Sequence, residues 1–445
     1  MEGTRDLTYG PILRQLFKLA APIMATSFIQ MAYSLTDMAW VGRIGSEAVA
    51  AIGAVGILTW MSGSISLLNK VGSEVSIGQA IGQKDADLAV TFASHNITMS
   101  SILSLIWSAS LFLFAPLIMQ TFGLQPNITE QAVHYLRIVA FGLPFFIVST
   151  TFTGVFNAAG RSQVPFAISA VGLVLNMVLD PLFIFVLGWG TNGAALATVF
   201  SQVIVFTLFV YQLKIRKTLL SGFRFFVALK RKYVLRIVQL GLPVATLNIL
   251  FAFINMYICK LSAAEGGHIG LMTFTAGGQI EAITWNTAQG FSTALSAFVA
   301  QNYAAGQALR VLRAYRTTLW LTGVLGLSCT LLFIVFGKEI FSLFVPEQAA
   351  YTSGGVFMRI DGYSQLFMML EITMQGMFYG TGRTLPPAAI SIGGNLLRIP
   401  IALYLISLGL GVSGIWWAVS LSSILKGVSA FIWFFILKRK ILSPV

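Results

Sequence analysis

The sequence contains few charged residues. Asp, Glu, Lys and Arg make up 10% of the 445 residues, whereas hydrophobic residues make up 56%. A soluble globular domain carries roughly 25% charged residues, because its surface faces water. The composition therefore excludes a soluble globular protein and indicates one that lies within a membrane.

The motifs of soluble enzymes are also missing. The two cysteines, Cys259 and Cys329, fall within predicted helices and indicate neither a disulfide framework nor a metal site. The three histidines form no HExxH motif, and no Walker A sequence is present to bind phosphates. We therefore expect no enzymatic activity, no cofactor and no metal apart from a coupling Na⁺. An intramembrane enzyme is disfavoured because no nucleophile set is recognisable.

Long apolar runs are abundant. A helix that crosses the hydrocarbon core needs about 20 apolar residues. Twelve such runs, numbered here as spans 1 to 12, cover residues 16–40, 49–71, 92–118, 132–156, 164–187, 192–213, 236–261, 270–298, 314–337, 353–379, 386–408 and 413–437. We predict an all-α polytopic membrane protein with twelve transmembrane helices.

The net charge of +13 is distributed on one side of these spans. Of the 28 Lys and Arg residues, 20 fall in alternate loops and at the termini, whereas only Arg43 and Lys338 fall in the opposite loops. Basic residues concentrate on the cytoplasmic side, so both termini are predicted to be cytoplasmic. The basic charge indicates anionic lipid head groups as partners and not nucleic acid. No cleavable signal peptide is apparent in the polar first 15 residues.

The two halves of the chain repeat one pattern. Five pairs of residues share an offset of 221 or 222: Pro22 and Pro243, Gln79 and Gln301, Arg137 and Arg359, Gly154 and Gly376, and Gly193 and Gly414. Six helices per half leave both halves in the same orientation in the membrane. We predict two six-helix lobes, residues 1–213 and 236–445, joined by a basic cytoplasmic linker at 214–235.

Residues 214–236, which are the linker and the first residue of the second lobe, contain eight basic residues and no acidic one. The interleaved Phe223, Phe225 and Phe226 of the linker are consistent with an amphipathic segment lying on the inner membrane surface. An ordinary inner loop that follows the charge rule fits equally well. Both interpretations make it a tether between the lobes.

Span 5 contains an acid, Asp180, in an otherwise apolar helix, where a charge costs roughly 3 kcal/mol on insertion scales. Pro181 follows it and removes a helical hydrogen bond from the carbonyl of Met177. Asn176 lies four residues before Asp180 and therefore on the same helix face. Such a group of oxygens is suited to a small cation.

Span 1 contains a second acid at a similar depth. Asp37 lies near the outer end of span 1, with Tyr33 four residues earlier on the same face. Thr198 lies at a comparable depth in span 6. If spans 1, 5 and 6 are neighbours, these side chains form one polar cluster with Asn176 and Asp180. In the second half, the positions of Asp37 and Asp180 are occupied by Ile258 and Ala402, so the cluster is specific to the first lobe.

Other charged residues lie within the spans. Lys70 and Glu74 are four residues apart and are expected to form an ion pair. Glu281 in span 8 and Glu371 in span 10 are equally compatible with contacts to a substrate in a cavity and with a structural role.

Several segments resemble the multidrug and toxic compound extrusion (MATE) family. They are YSLTDMAWVGRIG in span 1, GQAIGQKD after span 2, FNAAGRS after span 4, and NMVLDPLFIF with the following NGAALAT. With weaker echoes of these segments in the C-terminal half, the resemblance extends over nearly the whole chain. The resemblance implies two six-helix bundles around a cleft that opens to either side.

The match is to the DinF-like branch of this family. It implies that Asp37 and Asp180 bind the coupling cation, that Asn176 and Thr198 add neutral oxygens, and that Tyr33 supports Asp37. Pro22 resembles the proline associated with bending of helix 1. The NorM-like branch also uses acids in helices 7 and 10. This chain has Glu371 in span 10, but span 7 contains Lys260 and only a loop-proximal Glu265.

The implied function is secondary antiport by alternating access. The chain would export organic, cationic or amphiphilic compounds in exchange for H⁺ or Na⁺, as a monomer in the inner membrane of a bacterium or archaeon. Small organic substrates and membrane lipids would be its partners. The alternative is a flippase for lipid-linked saccharides or lipids from the wider superfamily, for which a longer and more basic groove is expected.

Overall fold

The structure is a computed structural model that describes residues 3–216, 220, 222–345 and 347–442. Within these ranges the chain forms long helices and no strand, which confirms the all-α class. The helices are α1 (Ile12–Gly42), α2 (Ser46–Gly82), α3 (Ala86–Gln120), α4 (Pro126–Ala158), α5 (Gln163–Pro181), α6 (Gly190–Val210), α7 (Arg231–Ala304), α8 (Ala308–Phe344), α9 (Gln348–Gly380), α10 (Leu385–Leu405) and α11 (Val412–Leu442). Short π-helical turns, Leu182–Val186, Tyr211–Ile215 and Ile406–Leu410, extend α5, α6 and α10.

The longest helix, α7, contains two predicted spans. Gly267 within it adopts φ 57° and ψ −150°, which ends one helix and starts another. Glycine occupies this conformation without the steric penalty that a Cβ atom would add. The two parts, residues 231–266 and 268–304, correspond to spans 7 and 8, so the eleven helices account for the twelve predicted spans. Ten of the helices are long and apolar enough to cross a membrane.

The contacts divide the chain into two units. The first contains Met1–Tyr9 and Ala21–Ala245, and the second contains Gly10–Ala20 and Thr246–Val445. The start of α1 thus belongs to the second unit, and the start of α7 belongs to the first. Pro22 and Pro243 lie close to two of the three points at which the chain changes unit. The predicted boundaries at residues 213 and 236 stay a prediction.

Close helix crossings recur at matching positions in the two units. A methyl group built on Gly154 of α4 would lie 2.4 Å from the carbonyl oxygen of Lys70 in α2. One built on Gly376 of α9 would lie 2.2 Å from the carbonyl oxygen of Ser292 in α7. Glycine at a crossing lets two helix backbones approach each other, as is common in membranes. The repeat read from the sequence therefore corresponds to a repeated packing contact.

The linker is packed against the first unit. The N–H of Arg224 donates to Ser94 Oγ of α3 at 3.0 Å. The hydroxyl of Thr98 donates to the carbonyl of Phe225 at 2.9 Å and accepts from the N–H of Val227 at 3.2 Å. These bonds satisfy linker backbone groups that have no helix partner.

The linker phenylalanines do not form one membrane-facing stripe. Phe223 is 1% exposed and packs against Phe152 of α4 with ring centroids 6.0 Å apart. Phe226 is exposed, but Phe225 also packs against Phe152. The amphipathic-surface interpretation is therefore wrong for Phe223 and Phe225, because these side chains complete an aromatic cluster inside the unit.

Replacing Gly154 with alanine should destabilise the protein. The new methyl group would overlap the Lys70 carbonyl, and overpacking of this kind costs about 1–3 kcal/mol. Thermal unfolding in detergent, followed by tryptophan fluorescence, would show a lower midpoint for Gly154→Ala. Gly63→Ala in α2 is the matched control, because no atom lies within 4 Å of its Cβ position. Equal midpoints for the two variants would contradict the close crossing.

Candidate cation site

The candidate site begins at the end of α5. Asn176 and Asp180 are both fully buried, and Asn176 Nδ2 donates to Asp180 Oδ1 at 3.2 Å. Pro181 is the last residue of α5 and is followed directly by the π-helical turn Leu182–Val186. Because proline has no N–H, it cannot continue the regular hydrogen-bond pattern. The acid therefore lies where the helix changes its geometry.

Helices α1 and α6 complete this group. The Tyr33 hydroxyl of α1 donates to Thr198 Oγ1 of α6 at 3.0 Å. Asp37, one turn after Tyr33, acts electrostatically on both Tyr33 and Asp180. The five side chains that the sequence predicted to converge are thus linked within the first unit by two hydrogen bonds and by the electrostatic action of Asp37. We call them the outer cluster: Tyr33, Asp37, Asn176, Asp180 and Thr198.

Three oxygens of the outer cluster are buried and accept no hydrogen bond. They are Asp37 Oδ1, Asp180 Oδ2 and Asn176 Oδ1. Burying a polar oxygen without a donor costs roughly 1–3 kcal/mol, and more for a charged group. A proton on either carboxyl or a small cation held by these oxygens would remove that cost. Carboxylate, amide and hydroxyl oxygens are the ligands that hard cations prefer.

One member of this site is absent from the sequence prediction. Tyr135 of α4 is 6% exposed and acts electrostatically with Tyr33, Asp37 and Asp180. Tyr135 is therefore close enough to the two acids for their charges to act on it. The residue at the matching place in the second half is Phe357. A comparison of the two halves for a lost hydroxyl, and not only for lost charges, would have identified it.

Comparison with known proteins assigns the chain to a family. The MatE family profile matches residues 22–182 and 240–404, one segment in each half. The chain belongs to the MatE family. This confirms the resemblance to MATE proteins, whose members are membrane transporters and not enzymes.

Similar proteins cover the chain over nearly its full length. The probable multidrug resistance protein NorM of Thermotoga maritima is 25% identical, over 91% of this chain and 88% of that protein. The FAD transporter of Shewanella oneidensis is also 25% identical, over 100% and 98%. A crystal structure of MATE in complex with MaL6 has a TM-score of 0.94 at 21% identity and covers 100% of both chains, which shows the same fold.

In this MATE transporter, Pro22 lies inside an uninterrupted helix. Helix α1 continues from Ile12 to Gly42 through the proline. Pro22 cannot donate to the carbonyl of Lys18, so one hydrogen bond of the helix is missing there. The hydroxyl of Thr26 donates to the carbonyl of Pro22 at 2.9 Å. The helix is therefore weakest just before the segment that carries Tyr33 and Asp37.

Glu371, one of the two candidate cavity acids, is fully engaged inside the second unit. It is 3% exposed, and Lys426 Nζ lies 3.3 Å from its Oε2. Gln375 Nε2 donates to its Oε1 at 3.2 Å, and the Ser391 hydroxyl donates to the same oxygen. The geometry favours a structural role, because every contact of this carboxylate is internal.

Glu281, the other candidate, is only partly buried and has charged neighbours. Arg398 and Lys426 both act on it electrostatically. Arg398 occupies the position that matches Asn176 of the first half, and its guanidinium donates to Ser422 and Ser423 at 2.9 and 3.2 Å. The second unit thus carries a cation, Arg398, where the first unit has the amide of Asn176.

The bond between Tyr33 and Thr198 should be measurable as a coupling. In a double-mutant cycle of Tyr33→Phe and Thr198→Val, we expect an interaction energy of about 1 kcal/mol, typical of one hydrogen bond between membrane helices. Denaturant-induced unfolding in mixed micelles would give the four free energies. Strictly additive effects of the two changes would show that the hydroxyls do not interact.

Removing one partner of the Glu371–Lys426 pair should lower the stability of the protein far more than replacing both partners with neutral residues. Lys426→Met leaves a buried carboxylate without its cation and should destabilise by about 3–5 kcal/mol. Adding Glu371→Gln should recover much of that loss, since a neutral pair needs no counter-charge. Thermal midpoints of the single and double variants would decide, and a double variant no more stable than Lys426→Met would argue against the pairing.

Proposed function

We propose that the chain is a secondary antiporter that exports organic compounds in exchange for inward-moving H⁺ or Na⁺. The observation that supports this most directly is the outer cluster, in which three buried oxygens of two acids and one amide lack a hydrogen-bond donor. A transporter driven by a cation gradient needs a buried site that is stable only when loaded. Intramembrane acids are the usual means of providing one.

The cluster also provides a way to link loading to conformation. Its members come from α1, α5 and α6, so a bound cation holds three helices together, whereas two bare carboxylates repel each other. A cation can shift the equilibrium between two states only by binding one of them better. If α1, α5 and α6 separate when the site loses its cation, the cation binds better to the state in which these helices are together, which meets this requirement.

Pro22 fits this scheme as a gating residue. It weakens α1 between the segment of Gly10–Ala20, which belongs to the second unit, and the segment that carries Asp37. We propose that α1 bends there when the outer cluster gains or loses its cation. The ability of α1 to bend at this point comes from the helical hydrogen bond that Pro22 removes.

For placement in the membrane, we propose the arrangement predicted from the basic loops. Both termini are then cytoplasmic, the protein lies in the inner membrane, and residues 214–235 join the lobes on the cytoplasmic side.

Two substrate classes are supported by the names of similar proteins. The NorM protein of Thermotoga maritima is described as a probable multidrug resistance protein, and the protein of Shewanella oneidensis as an FAD transporter. We propose cationic or amphiphilic drug-like compounds as the substrates. Efflux of a fluorescent cationic dye, of FAD and of a lipid-linked sugar from proteoliposomes would distinguish drug export, flavin export and a flippase.

Neutralising both acids should abolish coupling. The Asp37→Asn, Asp180→Asn double variant keeps the shape of the site but no longer alternates between charged and neutral forms. Dye efflux driven by an imposed pH gradient, or separately by a Na⁺ gradient, should fall at least about fivefold, as expected when 1–3 kcal/mol of coupling is lost. The control Asp87→Asn removes an exposed acid from α3 and should transport normally. Gradient-driven efflux that survives in the double variant would refute the mechanism.

A further inference from the structure

A second pair of polar side chains lies where α2 and α4 cross. The crossing brings Gly154 against the carbonyl of Lys70. About one turn further along each helix, the side chain of Asn157 in α4 lies close enough to Glu74 of α2 to act on its carboxylate. Both side chains are buried, with exposed fractions of 5% for Glu74 and 2% for Asn157. An acid and an amide are thus held together inside the first unit.

This pair is only half satisfied. Glu74 Oε1 and Asn157 Oδ1 are buried and have no hydrogen-bond partner. The same pattern occurs in the outer cluster, where Asp180 Oδ2 and Asn176 Oδ1 are left open after one amide–carboxylate bond. The acid–amide pairs of the second unit differ. Around Glu371 and Gln375, Lys426 and Ser391 occupy the remaining positions. At Asp361, which accepts from Gln365, the Ser364 hydroxyl donates to the other carboxylate oxygen.

The expected ion pair between Lys70 and Glu74 is not formed. Among the described residues, His134 pairs with Glu130 and Lys426 pairs with Glu371, whereas Lys70 and Glu74 do not pair. Lys70 still acts electrostatically on Glu74 from one turn away. The positive charge of Lys70 lowers the free-energy cost of burying the Glu74 carboxylate, but Lys70 donates no hydrogen bond to Glu74 Oε1.

The scaffold does not require an acid at this crossing. The matching positions in the second half are occupied by Ser292 for Lys70, Ser296 for Glu74 and Tyr379 for Asn157. The backbone contact of Gly376 with Ser292 is nevertheless preserved there. Since the crossing packs equally closely without Glu74, the acid has a role other than holding the helices together.

The pair lies far from the outer cluster. Tyr135, which borders the outer cluster, and Asn157 both belong to α4. At 1.5 Å per residue, the intervening helix is roughly 33 Å long, about the thickness of the hydrocarbon core. The outer cluster and the Glu74–Asn157 pair therefore lie beside positions of α4 that are about one hydrocarbon thickness apart.

We propose that Glu74 and Asn157 form a second cation-binding site in the first unit, which takes a proton or a monovalent metal ion such as Na⁺. In the proton form, the carboxyl group donates from Glu74 Oε1 toward Asn157 Oδ1. In the metal form, these two oxygens are ligands. One carboxylate beside the positive charge of Lys70 disfavours a divalent ion, because it leaves no excess negative charge to balance it.

The site itself does not depend on the proposed antiport, but its role does. In the predicted topology, the outer cluster faces the outside, and Glu74 lies near the cytoplasmic end of α2. The pair would then bind the coupling cation on its way to the cytoplasm.

Cation binding by Glu74 and Asn157 can be tested in a variant protein whose outer cluster has lost both acids. Purified protein carrying Asp37→Asn and Asp180→Asn is the background, to which Glu74→Gln is added. NaCl, LiCl and choline chloride are titrated at several pH values, with the thermal midpoint, proton release into weak buffer and the infrared band of protonated carboxyl groups as readouts. Glu47→Gln, at the start of the same helix, is the matched control for removing an exposed acid.

For a metal site, the background should gain stability with NaCl over choline chloride and release up to one proton per protein, and Glu74→Gln should remove both effects. For a proton site, salts should act alike, and a carboxyl band that changes with pH should disappear in Glu74→Gln. The charged groups on the packed helices that bear on the titration are Lys70 and Arg236, whose guanidinium donates to Gln79 at 3.2 Å.

The proposal fails if Glu74→Gln changes neither the salt response nor the carboxyl band of the background. That result would mean that a water molecule satisfies both oxygens. Asn157→Ser is a second variant, which keeps the acid but withdraws the amide oxygen and should weaken binding at least about tenfold, if one good ligand contributes about 1.4 kcal/mol. Because these measurements use a background in which antiport is expected to be absent, they stay interpretable whether or not the proposed function is correct.

Discussion

A carboxylate among membrane helices must receive a proton, a metal ion or a basic partner, because no bulk water is present to solvate it. The two units of this transporter meet this constraint differently. In the second unit, Lys426 supplies a permanent cation to Glu371. In the first unit, Asp37, Asp180 and Glu74 each retain a buried oxygen without a hydrogen bond. Among the described acids, open carboxylate oxygens therefore lie in the first unit, whereas the Glu371 carboxylate of the second unit is paired with a lysine.

The common scaffold makes this division possible. Gly154 and Gly376 allow the same backbone approach in both units, so the packing is set by small residues and backbone atoms. Side chains around the crossings can then vary without disturbing it. Arg398 stands where the first half has Asn176, and Ser296 stands where it has Glu74. The two halves share one helical packing, and the side chains that differ between them give each unit its own set of polar and charged groups.

Membrane proteins allow an unusually direct inference from sequence to fold. The spans were predictable because crossing the hydrocarbon requires long apolar helices whose backbone bonds are internal. The outer cluster was predictable as well, because an acid in such a helix is costly and Asp37 and Asp180 have no counterparts at Ile258 and Ala402. Tyr135 was not predicted, because a tyrosine in a membrane helix does not carry the free-energy cost of an acid. Only the side chains around it in the folded protein show that it belongs to the site.

The sequence by itself determined the all-α class, the two-fold repeat and the five residues of the outer cluster, because these follow from hydropathy, charge and helix periodicity. Only the tertiary structure decided which buried groups are satisfied. Spacing suggested that Lys70 would pair with Glu74, yet Asn157 from another helix is the partner, and Lys426 pairs with Glu371 from another helix as well. The physical reason is that hydrogen bonds and ion pairs depend on distances of about 3 Å. Such distances between helices are set by packing and do not follow from positions along a single helix.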